Sequence, residues 1–373
     1  MTATTSNSTF RTEMIEARRA PDQRRGVSGW LRANLFSSPL NSVVSIVVIL
    51  VIARLIWPLL EWAVIDANFI GASRDACTGA GACWAFIGAR FDSIIYGFYP
   101  EGARWRVDIV FAMLAILVAW LAVPRLPQKK WVALFALVGF PIIAYFLLLG
   151  GSFGLEYVPT RAWGGLMLTL TIAVVGIVGS LPIGILLALG RRSQMPFVKA
   201  VCVIFIEFWR GVPLITVLFM ASVMLPLFVP GNIEFDKLLR ALVGIMLFWS
   251  AYMAEVIRSG LQAISKGQDE AGKALGLSYW HRMGLIILPQ ALKLVIPGIV
   301  NTFIALFKDT SLVLIIGLLD MLAIIRAGLT DTNWLGFSTE GYVFAALVYW
   351  VFCFSMSRYS QYIERRLNTG HKN

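Results

Sequence analysis

The segment GGLMLTLTIAVVGIVGSLPIGILLALG, residues 164–190, runs for 27 residues without one charged side chain. At 1.5 Å per residue, about 20 apolar residues cross the roughly 30 Å of bilayer hydrocarbon, so this run reads as a transmembrane helix. Outward from it, comparable runs stand near 40–65, 107–123, 131–149, 197–228, 238–260, 294–320 and 341–358. The chain has 373 residues, of which 58% are hydrophobic and 14% charged, at a mean hydropathy of +0.76. That composition excludes a soluble enzyme, a nucleic-acid-binding domain and a disulfide-stapled secreted module. The fold class is therefore all-α: a polytopic membrane bundle of about eight transmembrane helices.

An even number of spans places both ends on one side. With the N-terminus in the cytoplasm, the inner segments hold 21 of the 32 Lys and Arg and the outer loops hold eight. Arg54, Arg210 and Lys308 fall within spans. The positive-inside rule thus predicts cytoplasmic tails at 1–38 and 359–373, and the net charge of +11 is first an orientation signal. Arg18, Arg19, Arg24 and Arg25 read as a solvated juxtamembrane tail facing anionic headgroups. The first apolar run exceeds a signal-peptide core and reads as an uncleaved anchor.

Residues 39–150 contain three spans and a long outer loop, 66–106. Residues 151–358 contain five spans, interrupted by a polar inner segment, 261–290. Cys77 and Cys83 share the outer loop, in CTGAGAC, where glycines permit a tight ring and an oxidising compartment favours a disulfide over two free thiols. Cys202 and Cys353 lie in apolar runs and read as packed thiols.

The inner segment reads SKGQDEAGKALGLSYWHRMGLIILPQAL from Ser265 to Leu292. It predicts a short helix with acids at its start (Asp269, Glu270) and small residues along it (Ala271, Gly272, Ala274). A turn follows at Gly276, then a second helix capped by Ser278 and ended near Pro289. A loop this long is either a connector or a functional surface.

Here the sequence resembles the permease subunits of ATP-binding-cassette importers, whose cytoplasmic loop carries E-A-A, a glycine four residues beyond, and I-x-L-P. Glu270, Ala271, Gly272, Gly276, Ile286, Leu288 and Pro289 match, with Gly272 in place of the usual second alanine. EFWRGVPLI (207–215), residues 250–278 and PGIVNTFIALFKDTSL (297–312) resemble the polar amino acid subfamily, although Val212 replaces its usual threonine. ACTGAGACW (76–84) and FYPEGARWR (98–106) are similar to the longer permeases of general L-amino acid and glutamate/glutamine/aspartate/asparagine importers. The resemblance implies a five-helix permease core behind three accessory helices. It also implies a second homologous permease, two ATPase subunits and a periplasmic amino-acid-binding protein. Gln268, Asp269, Glu270, Ala271, Gly272, Ala274, Gly276, Ser278 and Pro289 are then the expected ATPase-coupling residues.

The chain has no G-x-x-x-x-G-K-[ST], so ATP and Mg are expected on the partner ATPase, with no cofactor on this chain. Its two histidines, His281 and His371, give no metal cluster. No catalytic constellation is present, which speaks against a membrane enzyme. The alternative is a self-contained secondary transporter or channel, which leaves the inner segment unexplained.

Ionisable groups at membrane depth are functional candidates by default. Residues 197–228 are too long for one crossing, and a break is expected at Gly211 and Pro213, with Glu207 and Arg210 as an i,i+3 pair at the kink. Glu255 and Arg258 repeat that spacing. Both pairs read as structural or gating contacts. Trp249, Ser250 and Tyr252 fall near mid-membrane and, with Asn301, Lys308, Asp309 and Thr310, are the candidate substrate pathway. A span opening near Ile296 would place Lys308 about 18 Å in. One cation and one carboxylate complement an amino acid, but adjacent residues diverge by about 100° on a helix, so pairing elsewhere stands as the second reading.

Overall fold

The computed structural model describes residues 26–77, 79–123, 125–228 and 235–367. The paired arginines of the N-terminal tail and His371 lie outside these. The chain divides into two compact units, Met1–Ala67 and Asn68–Asn373.

In the first unit, α1 (Val27–Asn34) precedes α2 (Pro39–Leu60), which continues through one wider turn, Glu61–Ile65. Ser38 starts α2 by accepting the Asn41 N–H, and Pro39 sits where a helix does not need its missing donor. No residue of α2 is buried.

The second unit contains α3 (Ala85–Tyr96), α4 (Arg104–Ala122), α5 (Lys129–Leu149), α6 (Gly165–Arg191), α7 (Pro196–Gly211), α8 (Leu214–Phe228) and α9 (Lys237–Ala263). After these come α10 (Lys266–Ala274), α11 (Tyr279–Ile316), α12 (Met321–Leu329) and α13 (Ser338–Leu367). Among the described residues seven helices are long and apolar enough to cross a membrane. The pair α7 and α8, bent by 100°, makes an eighth. The bend falls where proline forces it: Val212, ahead of Pro213, is extended, because the proline ring disfavours helical backbone in the preceding residue.

The centre of the unit is α6 against α9, with α11 beside them. Met167, Leu168 and Ile172 of α6, Ile245 and Phe248 of α9, and Leu306 of α11 are all buried. Between membrane helices the lipid supplies no hydrophobic drive, so close approach through small residues does the work. A Cβ on Gly184 would stand 2.7 Å from the Cβ of Met253, and one on Gly260 would stand 2.7 Å from the Ala291 carbonyl.

One expectation is corrected. The second hairpin helix does not end near Pro289, nor does a new span open near Ile296; α11 runs from Tyr279 through Ile316. A wider turn at Arg282–Ile287 stands directly ahead of Pro289 and shifts the hydrogen-bond ladder where the proline cannot donate. Lys308 is therefore 29 residues into its helix, roughly 44 Å from the start, and belongs to the end away from the hairpin.

At that far end Cys77 and Cys83 are bonded, with their Cα atoms 5.7 Å apart. The Cys83 N–H donates to Glu340 Oε1 at 3.1 Å, tying the ring to the first turn of α13.

Candidate functional site

The hairpin is built by one cross-brace. Asp269, in the first turn of α10, accepts from Lys273 Nζ at 2.8 Å and from Arg282 Nε, on α11, at 2.9 Å. Arg282 also donates from a terminal nitrogen to the Leu277 carbonyl at 2.7 Å. To reach both, the Arg282 stem lies across the buried Gly272, where a Cβ would come within 2.7 Å of its Cδ. The departure from alanine at 272 thus makes room for the brace. Lys273, and then Arg282, hold the Asp269 carboxyl below the usual carboxylate range.

Gly276 turns the chain at φ +74°, and a Cβ there would meet nothing within 4 Å. Its constraint is the left-handed backbone, with no obstruction to a side chain. Ser278 begins α11 and also contacts His281 Nδ1 at 2.7 Å. Pro289 lies further along α11, outside the hairpin turn.

The brace leaves one face free. Gln268, Glu270, Ala271 and Ala274 are exposed. So are Leu275 (77%) and Trp280 (69%), and Trp280 packs edge-on against Tyr279. Sequence reading selected the small and acidic residues but passed over Leu275, Trp280 and Arg282. Two large apolar side chains in so polar a segment were the available signal.

Above the hairpin, three arginines surround two glutamates. Arg191, the last residue of α6, reaches Glu207 at 2.9 Å and Glu255 at 2.7 Å. Arg258 holds Glu255 at 2.7 Å, as its spacing predicts. The expected Glu207–Arg210 pair is only a long contact, 3.9 Å, because Arg191 enters from a third helix while Arg210 turns toward the Tyr252 ring, 5.8 Å away. Nothing in the local sequence distinguishes Arg191 from an ordinary topology-setting charge.

The pathway candidates divide into two groups. On α9, Trp249 and Ser250 are buried and Tyr252 is half-buried, forming with Phe248 an aromatic cluster with centroids 5.0–5.7 Å apart. The Trp249 indole N–H is buried without an acceptor among the described residues. On α11, Asn301 and Lys308 are exposed, Asp309 is half-buried and Thr310 is buried, its hydroxyl donating to the Phe307 carbonyl at 2.8 Å. Among the described residues, neither Lys308 nor Asp309 enters an ion pair, with each other or with a third group.

Among the described residues the chain is a bundle of apolar spans with a braced polar hairpin at one end. Residues 180–369 match the family model described as the binding-protein-dependent transport system inner membrane component, and the chain belongs to this family as the permease subunit of an ABC uptake system. It is a multi-pass inner-membrane protein. It is 59% identical to the inner membrane amino-acid ABC transporter permease protein YhdY of Escherichia coli K12, over 91% of this chain and 93% of that one. It is 40% identical to the glutamate/glutamine/aspartate/asparagine transport system permease protein BztC of Rhodobacter capsulatus, over 97% and 98%. Among solved structures, an amino acid ABC transporter with histidines matches 54% of this chain and 92% of its own, at 30% identity and a TM-score of 0.48.

Proposed function

We propose that this chain forms, with a second homologous permease, the pathway of an ATP-driven amino acid importer. Two separate ATPase subunits bind ATP and Mg, and an outer binding protein delivers the substrate. Both termini and the hairpin face the cytoplasm. Residues 151–358 form the transporting core, and the three helices before it are an accessory layer.

The observation that carries this reading is the braced hairpin. Asp269, Arg282 and Lys273 satisfy one another, so Glu270, Ala271, Ala274, Leu275 and Trp280 are presented on a stiff base. A preformed apolar and acidic face suits docking into a groove on an ATPase, because little side-chain order remains to be imposed. Closure of the ATPase dimer on ATP would draw two such hairpins together and shift the permease pair toward an outward-open state. The names of both long relatives support amino acids as the cargo.

Lys308, Asp309 and the Trp249 indole are the pathway groups best suited to an amino acid's charged ends. They are polar groups without a side-chain partner among the described residues, in a setting where an unpaired polar group is costly.

The test is reconstitution of the whole complex in liposomes with ATP on the hairpin side. Uptake of labelled amino acids should require ATP and the loaded binding protein. Lys308→Met and Asp309→Asn should reduce uptake at unchanged complex yield. Uptake by this chain alone without ATP would establish the secondary-transporter reading instead.

A further inference from the structure

The permease core leaves the first unit without an assigned task. Helix α2 with its last turn, Pro39–Ile65, is 27 residues long, about 40 Å, enough to cross a bilayer with some tilt. It carries one basic residue, Arg54, and one acidic residue, Glu61. Arg54 lies two residues past the helix midpoint, about 16 Å from the Ile65 end. Its Cα–Cβ bond tilts toward the helix N-terminus, so the stem starts back into the apolar run rather than toward the nearer interface. Glu61 does not relieve it: that carboxylate accepts the Trp57 indole N–H, and among the described residues of its unit Arg54 has no ion pair or hydrogen bond.

A guanidinium at that depth is costly, and such groups almost always pair with another group or face the protein interior. From this we infer that α2 is an assembly helix, and that Arg54 pairs with an Asp or Glu carried near mid-bilayer by a transmembrane helix of a different subunit. Charge selects the occupant. A second copy of this chain packed in parallel would set Arg54 against Arg54, whereas a carboxylate-bearing helix neutralises it and accepts its forked donors. The rest of α2 is mostly Val, Ile and Leu, which pack against any apolar helix, so the charge supplies the specificity. The inference does not depend on which solute the complex carries.

The experiment uses the intact complex purified from native membranes. A photoreactive residue replaces Val51, one turn before Arg54 on the same face. Expected is a cross-link to a peptide of another subunit with an Asp or Glu inside an apolar segment. Arg54→Leu should insert normally, being more apolar, yet lower recovery of that subunit at least tenfold, while Arg54→Lys retains most of it. Changing the partner carboxylate to Leu should fail alone and recover when combined with Arg54→Leu. Cross-links confined to lipid, or to this chain's own residues 104–122, where Asp108 lies, would overturn the inference. Unchanged subunit recovery with Arg54→Leu would do the same.

Discussion

Arg282 reaches across the hairpin turn to Asp269 at 2.9 Å, and its stem passes over the buried backbone of Gly272 on the way. Three positions are thereby coupled: the acid needs the arginine, and the arginine needs the glycine. Only the acid and the glycine belong to the recognisable loop pattern.

Removing the brace should uncouple the complex without unfolding it. Asp269→Asn and Arg282→Ala are expected to reduce substrate-stimulated ATP hydrolysis several-fold while leaving membrane insertion unchanged, and faster amide exchange across Lys266–Ala274 should accompany the loss. The pH dependence follows from the sign of the shift. Because the Asp269 carboxyl is held below its unfolded value, its contribution is fully present above the ordinary carboxylate pKa of about 4 and disappears as pH falls through the lower folded value. Coupling should therefore be flat between about pH 6 and 8 as far as this group is concerned. A midpoint in that range abolished by Asp269→Asn would contradict the assignment.

The two hairpin glycines should respond differently to alanine. Gly276→Ala places a Cβ in open space but keeps a positive φ, at a cost of about 1–2 kcal/mol. Gly272→Ala gains about 1 kcal/mol of helix propensity and displaces the Arg282 stem, so its net effect on stability should lie near zero. The distinguishing measurement is a cycle with Arg282→Ala: the position 272 substitution should become favourable once the arginine is gone, whereas that at 276 should not change.

Of the two membrane-edge glutamates, Glu255 should matter more. Its side chain is 16% exposed and held by two arginines at 2.7 Å, against 54% exposure for Glu207. Glu255→Gln leaves partly buried guanidinium groups uncompensated and is expected to cost about 1–3 kcal/mol, while Glu207→Gln should cost under about 1 kcal/mol. Thermal unfolding of the complex in detergent, compared between the variants at equal salt, checks the order.

The bond between Cys77 and Cys83 closes a loop of six residues in sequence separation, for which chain entropy gives about 2 kcal/mol. Cys77→Ser should lower the unfolding temperature of the complex by a few degrees and expose the Phe86 and Trp334 contact to quenchers. Mass mapping under non-reducing conditions that finds both thiols free in native membranes would refute the bridge.

The legible part of the molecule was what depends on a run or a spacing. Apolar lengths marked the spans, Gly211 and Pro213 marked the bend, and the pattern from Glu270 to Gly276 marked the hairpin. Helix continuity was not legible, because Pro289 read as a stop, yet a wider turn ahead of it lets α11 pass. Partners across helices were hidden as well. Arg191 is one of many basic residues flanking spans, and only the packing of α6 between α7 and α9 brings it between Glu207 and Glu255. Arg282 looked like another loop charge, since nothing in a linear pattern tells which basic residue will fold back onto Asp269.

The uninterrupted course of α11 changes how motion at the hairpin is felt elsewhere. A joint at Pro289 would have let the hairpin swing while the span stood still. Without one, Trp280 and Lys308 ride on a single shaft about 57 Å long, and rocking that shaft by five degrees about one end sweeps the other through about 5 Å. The stroke arriving at the far membrane edge is then set by leverage, so a shortened or hinged α11 would still grip its motor but turn the same pull into a smaller opening.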